Sequence, residues 1–260
     1  IIGNLTALGV VIFVFTLSVS QNAYLYGSIL ATSLGIVVSG VSGWLWLVKL
    51  SPSASNFYLT WRKLLQASWP LGVTLVLNVI YFRVDTLILA VYRGNVEVGL
   101  YGLAYRFFEL ILVLPTFMMN SLYPRMLIDK KNGLDKNRHD LWRSFFILGV
   151  VVGILTWVGA PLIGYIKSDY LGSVRLLRIL SLWLPAFFIT SPLMWLFVLA
   201  QKQKQLLYIY IAGLIVNIVG NFMFVPTYGG AAAAWMTGVT ELVVLALGLL
   251  FYSKSAKPRH

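Results

Sequence analysis

The sequence predicts an all-α polytopic membrane protein with eight transmembrane helices, comprising one six-helix bundle plus two helices of a second, incomplete bundle. Three observations support this fold class. The 260 residues are 59% hydrophobic and 11% charged, against about 25% charged residues in an average soluble domain. The apolar residues fall into eight segments, each about as long as the roughly 20 residues that cross a bilayer as a helix. None of the segments alternates with a period of two, which favours helices over a membrane barrel.

The small, polar stretch 51–56 is the best internal boundary. We expect residues 1–62 to hold the last two transmembrane helices of an N-terminal lobe plus a cytoplasmic linker. Residues 63–260 are expected to form the C-terminal six-helix lobe and a short cytoplasmic tail. The chain would then be the C-terminal part of a longer protein. The predicted spans are 1–20, 24–47, 64–92, 98–124, 144–166, 173–199, 206–225 and 232–252.

The distribution of basic residues predicts the orientation of these spans. Fourteen of the 20 lysines and arginines lie in alternate loops and the C-terminal tail. Loops rich in lysine and arginine stay on the cytoplasmic side, which also places the C-terminus in the cytoplasm. The fourteen are Lys49, Arg62, Lys63, Arg125, Lys130, Lys131, Lys136, Arg138, Arg143, Lys202, Lys204, Lys254, Lys257 and Arg259.

Charged residues interrupt the third and fourth spans, which are joined by a turn at residues 93–97. The third span contains Arg83 and Asp85, and the fourth contains Arg106 and Glu109. A charged side chain at the bilayer centre costs at least about 2.5–3.5 kcal/mol on insertion scales. Four such residues in one hairpin therefore indicate a selected feature.

The positions of these four charges agree with one another. In an antiparallel hairpin they lie at a similar level, about 12–18 Å from the turn at 1.5 Å per residue. Asp85 can then reach Arg106, and Arg83 can reach Glu109. The sequence predicts a buried charge cluster with these two pairs.

Three polar residues in the last two spans add to the intramembrane set. Glu241 lies about 16 Å from the outer turn at residues 229–230, and Asn217 and Asn221 lie in the preceding span. One interpretation is that all these groups form interhelical bridges that hold the bundle together. The other is a cavity in which Arg83 and Arg106 bind an anionic substrate, while the carboxylates balance charge or carry a coupling ion.

Three further features concern helix shape and surface. Pro185 and Pro192 fall in one span, which predicts a kinked or broken helix. The Gly149–Gly153 spacing matches a motif for close helix contact. Arg175 and Arg178, near an outer helix end, are secondary candidates for binding an anion, and they can equally extend to the membrane interface.

The sequence does not support catalysis. The chain has no cysteine, which excludes disulfides and thiolate metal sites. It has no phosphate-binding glycine loop, nucleophile elbow or paired-histidine motif. The basic loop 129–140 has no aromatic platform for nucleic acid, and we expect it to contact anionic membrane lipids instead. No cofactor is expected apart from a coupling H⁺ or Na⁺.

Several motifs resemble those of bacterial polysaccharide exporters of the O-antigen flippase type. These exporters belong to the multidrug/oligosaccharidyl-lipid/polysaccharide exporter superfamily. The similar stretches are RVDTLIL at 83–89, EVGLYGLAYRFFE at 97–109, LYP at 122–124, NIVGN at 217–221 and VPTYG at 225–229. The resemblance covers about residues 64–250.

This resemblance implies a transporter with two six-helix bundles that works by alternating access in the bacterial cytoplasmic (inner) membrane. Its expected partner is a polyprenyl-diphosphate-linked oligosaccharide for cell-surface polysaccharide such as O-antigen, and other polysaccharide-assembly membrane proteins are possible partners. One alternative is a cation-coupled multidrug exporter of the same superfamily. A second alternative is a membrane polymerase or ligase that uses the same lipid carrier, but such an enzyme should show a large outer loop with catalytic residues, and the outer loops here are short.

Overall fold

The structure, a computed structural model, describes residues 34–35, 37–42, 45, 66, 69–70, 72–74, 76–131, 138–166 and 168–256. The chain divides into two units, Ile1–Gln66 and Ala67–His260. Every described residue of the first unit is helical. Most of the first two predicted spans, and the predicted linker, lie outside the described residues. Their assignment to an N-terminal lobe therefore stays a prediction.

Every regular element in the described part of the second unit is helical. Residues 76–81 form a helix that leads into α1. The helices that follow are α1 Val84–Lys131, α2 Arg138–Gly159, α3 Leu162–Ile166, α4 Leu171–Ser181, α5 Leu184–Leu199, α6 Gln203–Tyr228 and α7 Gly230–Ala256, with a 3₁₀ turn at Ser168–Tyr170 between α3 and α4.

Helix α1 is broken at Gly94, whose φ of 77° and ψ of 180° are not helical. A straight helix would hold residues 83 and 109 about 39 Å apart at 1.5 Å per residue. Arg83 and Glu109 instead form an ion pair at 2.9 Å, so the chain folds back at Gly94. The predicted hairpin is confirmed. Its first arm is residues 76–93 and its second arm is residues 95–131.

Helices α6 and α7 form a second hairpin with a one-residue turn at Gly229. Its φ of 59° lies in the left-handed region, which glycine adopts without the steric cost that a Cβ adds. Two close approaches fix how the helices pack. A Cβ built on Gly213 would lie 2.6 Å from Val244, and one built on Gly220 would lie 2.1 Å from Met236.

The two hairpins are joined at their turns. The Nη2 of Arg93 donates to the carbonyl of Thr227 at 2.7 Å. The backbone N–H of Gly230 donates to Oε1 of Glu97, also at 2.7 Å. Arg93 and Glu97 lie 3.6 Å apart and form an ion pair. We call these three contacts the turn clasp, and they place both turns at the same end of the bundle.

Helices α4 and α5, together with the 3₁₀ turn before α4, are long and apolar enough to cross a bilayer as a pair and are bent by 51° at their junction. The break falls at Leu182 and Trp183, immediately before Pro185 in the first turn of α5. Proline has no N–H to donate and its ring collides with the carbonyl four residues earlier, so the helix cannot continue straight through this point. The predicted break is confirmed, whereas Pro192 lies inside α5.

Helix α2 packs closely against this break through its two spaced glycines. A Cβ on Gly149 would lie 2.8 Å from the Cα of Pro185. A Cβ on Gly153 would lie 3.0 Å from the carbonyl oxygen of Ser181. The close helix contact predicted from the glycine spacing is confirmed.

The lengths and composition of the helices are those of membrane spans. In the described residues, four helices can cross a bilayer, and a fifth is added if the bent pair counts as one span. The first of the four contains the fold-back at Gly94. Large apolar side chains such as Val91, Phe117 and Leu155 are exposed on the surface, as expected where lipid is the solvent. The protein is a multi-pass membrane protein, and the total of eight spans and its division into two bundles stay predictions.

Candidate functional site

Asp85 is buried where three helical segments meet. Its side chain, on the first arm, is 1% exposed. It accepts a hydrogen bond from the hydroxyl of Tyr101 on the second arm and one at 3.3 Å from Thr237 on α7. The backbone N–H of Thr86 donates to the other carboxylate oxygen at 2.6 Å. Neutral donors surround this carboxylate, and it forms no ion pair with any of the described residues.

Glu241 lies on α7 one helical turn after Thr237 and further from the clasp. It is 4% exposed and accepts a hydrogen bond at 3.0 Å from the hydroxyl of Tyr81, which lies one turn before Asp85 on the first arm. Two carboxylates are therefore stacked along the contact between the first arm and α7. Glu241 lies about one helical turn further from the turns than Asp85, which is within the range of depths predicted for the charged residues.

Glu241 also lines a cavity of about 480 Å³. The cavity lies between the first arm, the second arm, α5, α6 and α7, and its wall is mainly aromatic and apolar. Polar groups in the wall besides Glu241 include Asn78, Thr190 and Tyr210.

Asn217 and Asn221 are both buried on α6. The Nδ2 of Asn221 donates to the backbone and side-chain oxygens of Asn217 at 2.9 and 3.0 Å. Asn221 lies as many residues before Gly229 as Thr237 lies after it, so these two residues are at the same level of the hairpin. Asn217 and Glu241 are related in the same way. Among the described side chains, the Oδ1 of Asn221 and the Oγ1 of Thr240 are buried without a hydrogen-bond partner.

The charged residues of the first hairpin form one of the two predicted pairs. The ion pair between Arg83 and Glu109 is confirmed, with side chains 49% and 29% exposed. The predicted pair between Asp85 and Arg106 is wrong. Arg106 is exposed, whereas Asp85 is buried and satisfied by neutral donors. The single cluster predicted from equal depth is thus divided between an interior carboxylate and a half-exposed surface pair.

The reason for this error is helical phase. The buried face of the second arm is marked by Tyr101, Ala104, Tyr105 and Phe108, a spacing typical of one face of a helix. Arg106 follows Tyr105 and is therefore rotated by about 100° away from that face. The same spacing, read from the sequence, could have identified Tyr101 as the partner of Asp85.

The sequence did not identify two further candidate residues. Tyr81 and Thr237 contact the two carboxylates, but neither stands out in the sequence. Within the described part of the chain, no group of three histidine, cysteine, aspartate or glutamate side chains could hold a metal ion.

Comparison with known families identifies the chain. A model described as polysaccharide biosynthesis protein matches residues 3–127, and the MatE model matches residues 70–223, more than half of the chain. The chain belongs to the MatE family. This places it in the multidrug/oligosaccharidyl-lipid/polysaccharide exporter superfamily that the resemblance in the sequence predicted, and the polysaccharide biosynthesis model and the O-antigen transporter relative support the polysaccharide exporters within it.

Two relatives of this MatE chain match nearly all of it. An uncharacterized membrane protein of Methanocaldococcus jannaschii is 24% identical over 94% of the chain and 61% of its own length. A candidate O-antigen transporter of Shigella dysenteriae is 25% identical over 95% of the chain and 62% of its own length. The chain therefore spans about three fifths of the length of these relatives.

Two solved structures share the fold. Lipid II flippase MurJ in an inward closed conformation matches with a TM-score of 0.72 and 18% identity, over 99% of this chain and 55% of MurJ. A mutant of the Vibrio cholerae MATE transporter VcmN matches with a TM-score of 0.69 and 20% identity, over 98% of this chain and 60% of VcmN. At this level of identity the likeness establishes the fold.

Proposed function

We propose that the protein is a flippase that moves a polyprenyl-diphosphate-linked oligosaccharide across the bacterial cytoplasmic (inner) membrane by alternating access. Its product would serve cell-surface polysaccharide biosynthesis, such as that of the O-antigen of lipopolysaccharide. The observation that carries the transport part of the proposal is the pair of buried carboxylates, Asp85 and Glu241, stacked between two hairpins of a MatE-family bundle. Burying two carboxylates among neutral donors is costly for a scaffold and useful in a protein whose helices exchange partners during transport.

The half-exposed arginines are the proposed contacts for the anionic part of the substrate. Arg83 is held at the surface by Glu109, and Arg106 is exposed nearby on the second arm. A guanidinium gives two parallel hydrogen bonds to a phosphate group, which suits the diphosphate of a lipid-linked sugar. Glu109 would release or orient Arg83 as the substrate arrives.

The buried polar layers are the proposed place for ion coupling. Asp85 offers a carboxylate, Thr237 a hydroxyl, and Asn221 a buried carbonyl oxygen without a partner. These hard oxygen ligands suit H⁺ or Na⁺. Asn217 and Glu241 form the next level and would take part in the same coupling.

A second candidate function is cation-coupled multidrug export. The cavity of about 480 Å³ favours it, because a single carboxylate, Glu241, faces aromatic side chains including Tyr81, Phe187 and Tyr210. Such a setting suits an organic cation. We favour the flippase because the arginines on the first hairpin suit an anion instead.

The relatives and neighbours named as transporters favour a role outside catalysis. The proposed position of the C-terminus in the cytoplasm rests on the basic loops and tail. The proposed substrate is a membrane lipid carrier and not a nucleic acid, and other polysaccharide-assembly membrane proteins are its expected neighbours.

Genetic complementation tests the function. The protein should restore surface polysaccharide in a strain that lacks its own flippase for lipid-linked O-antigen units. Arg83→Gln with Arg106→Gln should lose this activity while the protein stays inserted, whereas Arg143→Gln, which removes an exposed arginine on α2, should retain it. Drug resistance without restored polysaccharide would favour the multidrug exporter. Full activity of the double variant would show that transport does not require Arg83 and Arg106.

A further inference from the structure

We propose that a groove between α2 and α4 binds the phosphate headgroup of an anionic bilayer lipid and part of its acyl chain. The groove has a volume of about 350 Å³. Its polar part is formed by Arg175 and Arg178, and Trp157 forms its aromatic wall. This site is separate from the carboxylates of the bundle interior and independent of the transported substrate.

The groove lies at the level where lipid headgroups are found. The hydroxyl of Ser173 donates to the carbonyl of Leu100 at 2.8 Å, only six residues after the break at Gly94. A Cβ on Gly230, in the second turn region, would lie 3.4 Å from the side chain of Leu176. The arginine-bearing part of α4 is therefore close to the turn end of the bundle, where the spans leave the membrane.

Aromatic side chains mark the same level. Trp157 is 44% exposed near the end of α2, and Tyr165 is 87% exposed at the end of α3. Tryptophan and tyrosine are enriched at the membrane–water interface, because one end of the ring is apolar and the other is polar. The groove thus opens between the headgroup layer and the hydrocarbon.

The two arginines are arranged to receive one phosphate. The guanidinium carbon of Arg178 lies 4.4 Å from the ring centroid of Trp157, and its Nε donates to the carbonyl of Trp157 at 3.3 Å. These contacts hold the guanidinium in place through its Nε and its face. The two terminal nitrogens then remain available for a ligand. Arg175 is exposed and lies three residues earlier, on the same helical face.

Charge complementarity identifies the class of ligand. Within the described part of the chain, neither Arg175 nor Arg178 forms an ion pair with a carboxylate. Two such guanidiniums at a lipid-facing surface favour an anion. Leu171 and Leu182, 61% and 54% exposed, give the groove apolar walls. An anionic phospholipid satisfies both parts at once, because its phosphate contacts the arginines and its acyl chain covers the leucines.

Native mass spectrometry of the purified protein in detergent tests the site. Titration with phosphatidylglycerol should show one molecule bound at least about tenfold more tightly than phosphatidylcholine. Arg175→Gln with Arg178→Gln should abolish this preference, and Arg175→Gln alone should lose most of it while keeping the contact between Arg178 and Trp157. The matched control Arg143→Gln removes the same charge from the other end of α2 and should change the affinity by less than about twofold.

Four outcomes would overturn the proposal. The first is a wild-type protein with no preference for phosphatidylglycerol. The second is an equal loss in Arg143→Gln and Arg175→Gln, which would indicate a general attraction to net positive charge. The third is displacement of the lipid by millimolar inorganic phosphate, which would indicate a site for a soluble anion. Retention of the preference by Arg175→Gln, with unchanged thermal unfolding, would equally exclude the site.

Discussion

Replacing Glu97 by alanine should loosen the turn clasp and destabilise the protein by about 1.5–3 kcal/mol, the range for a hydrogen bond to a charged group. Glu97 accepts the N–H of Gly230, the first residue of a 27-residue helix, at 2.7 Å. Glu97 also forms an ion pair with Arg93 at 3.6 Å, and about a third of each side chain is exposed. Such a pair contributes about 0–1 kcal/mol, so the bond to the helix terminus dominates the loss.

Glutamine at position 97 keeps an acceptor oxygen and removes the charge. Glu97→Gln should therefore cost less than Glu97→Ala, about 0.3–1 kcal/mol from the lost interaction with the helix dipole. Arg93→Ala serves as the control for the ion pair. It also removes the bond to the Thr227 carbonyl, but it leaves the N–H of Gly230 satisfied.

A double-mutant cycle with Gly229 tests the geometry directly. A Cβ on Gly229 would lie 1.9 Å from Oε1 of Glu97, so alanine at this position must displace the carboxylate. Its φ of 59° adds about 1–2 kcal/mol for a residue other than glycine. In the Glu97→Ala background only this backbone cost remains. The two substitutions should therefore be less than additive, by about the value of the lost hydrogen bond.

Equilibrium unfolding in mixed micelles, followed by circular dichroism, measures the four free energies of this cycle. Strict additivity of Gly229→Ala and Glu97→Ala would show that the carboxylate does not occupy the space beside the turn. Equal losses in Glu97→Gln and Glu97→Ala would show that the charge, and not the hydrogen bond, is what the clasp requires.

Three further experiments test the interior, the packing and the orientation. Asp85→Asn keeps the size but only one of the two accepting oxygens, so it should destabilise by about 1–3 kcal/mol, leave the protein inserted, and abolish polysaccharide export; normal export would exclude a coupling role. Gly149→Ala should destabilise by about 1–3 kcal/mol through overpacking, whereas Gly102→Ala, whose Cβ meets nothing within 4 Å, should stabilise by about 0.5–1 kcal/mol, as judged by thermal unfolding of both variants. Single cysteines in place of Asn95 and Lys202 should react with an impermeant reagent in intact cells at position 95 and not at position 202, and the opposite pattern would reverse the proposed topology.

The fold-back of the first hairpin could be predicted because it depends on distances along the chain. Apolar length identifies the arms, and the turn position determines which residues share a level, which is how Arg83 and Glu109 were paired. Level alone does not give the direction of a side chain around its helix. Arg106 has nearly the right level and the wrong direction, so its predicted pairing with Asp85 failed.

The contacts of α7 could not be predicted for a different reason. Thr237 reaches Asp85 across 152 residues, and Glu241 reaches Tyr81 across 160. No spacing rule states which spans are neighbours in a bundle, since helices pack through many combinations of faces. The sequence could therefore identify Glu241 as an unusual intramembrane residue but not the hydroxyl that satisfies it.

The placement of satisfied and unsatisfied polar groups indicates where this bundle can change shape. At the turn end, two hydrogen bonds of the clasp join the two hairpins, and the ion pair of the clasp lies within the first hairpin. Deeper in the bundle, the buried Oδ1 of Asn221 lacks a partner, which costs about 1–3 kcal/mol. An ion bound at that level would remove this cost by contacting the oxygen of Asn221. It could contact Asp85 at the same time only in a conformation that brings the two side chains together. A ligand shifts an equilibrium by its difference in affinity for the two states, so under the proposed mechanism such an ion favours closed hairpins. None of the clasp contacts involves Asp85 or Asn221, so under this mechanism release of the ion should leave the turn end joined and separate the hairpins at the opposite end first.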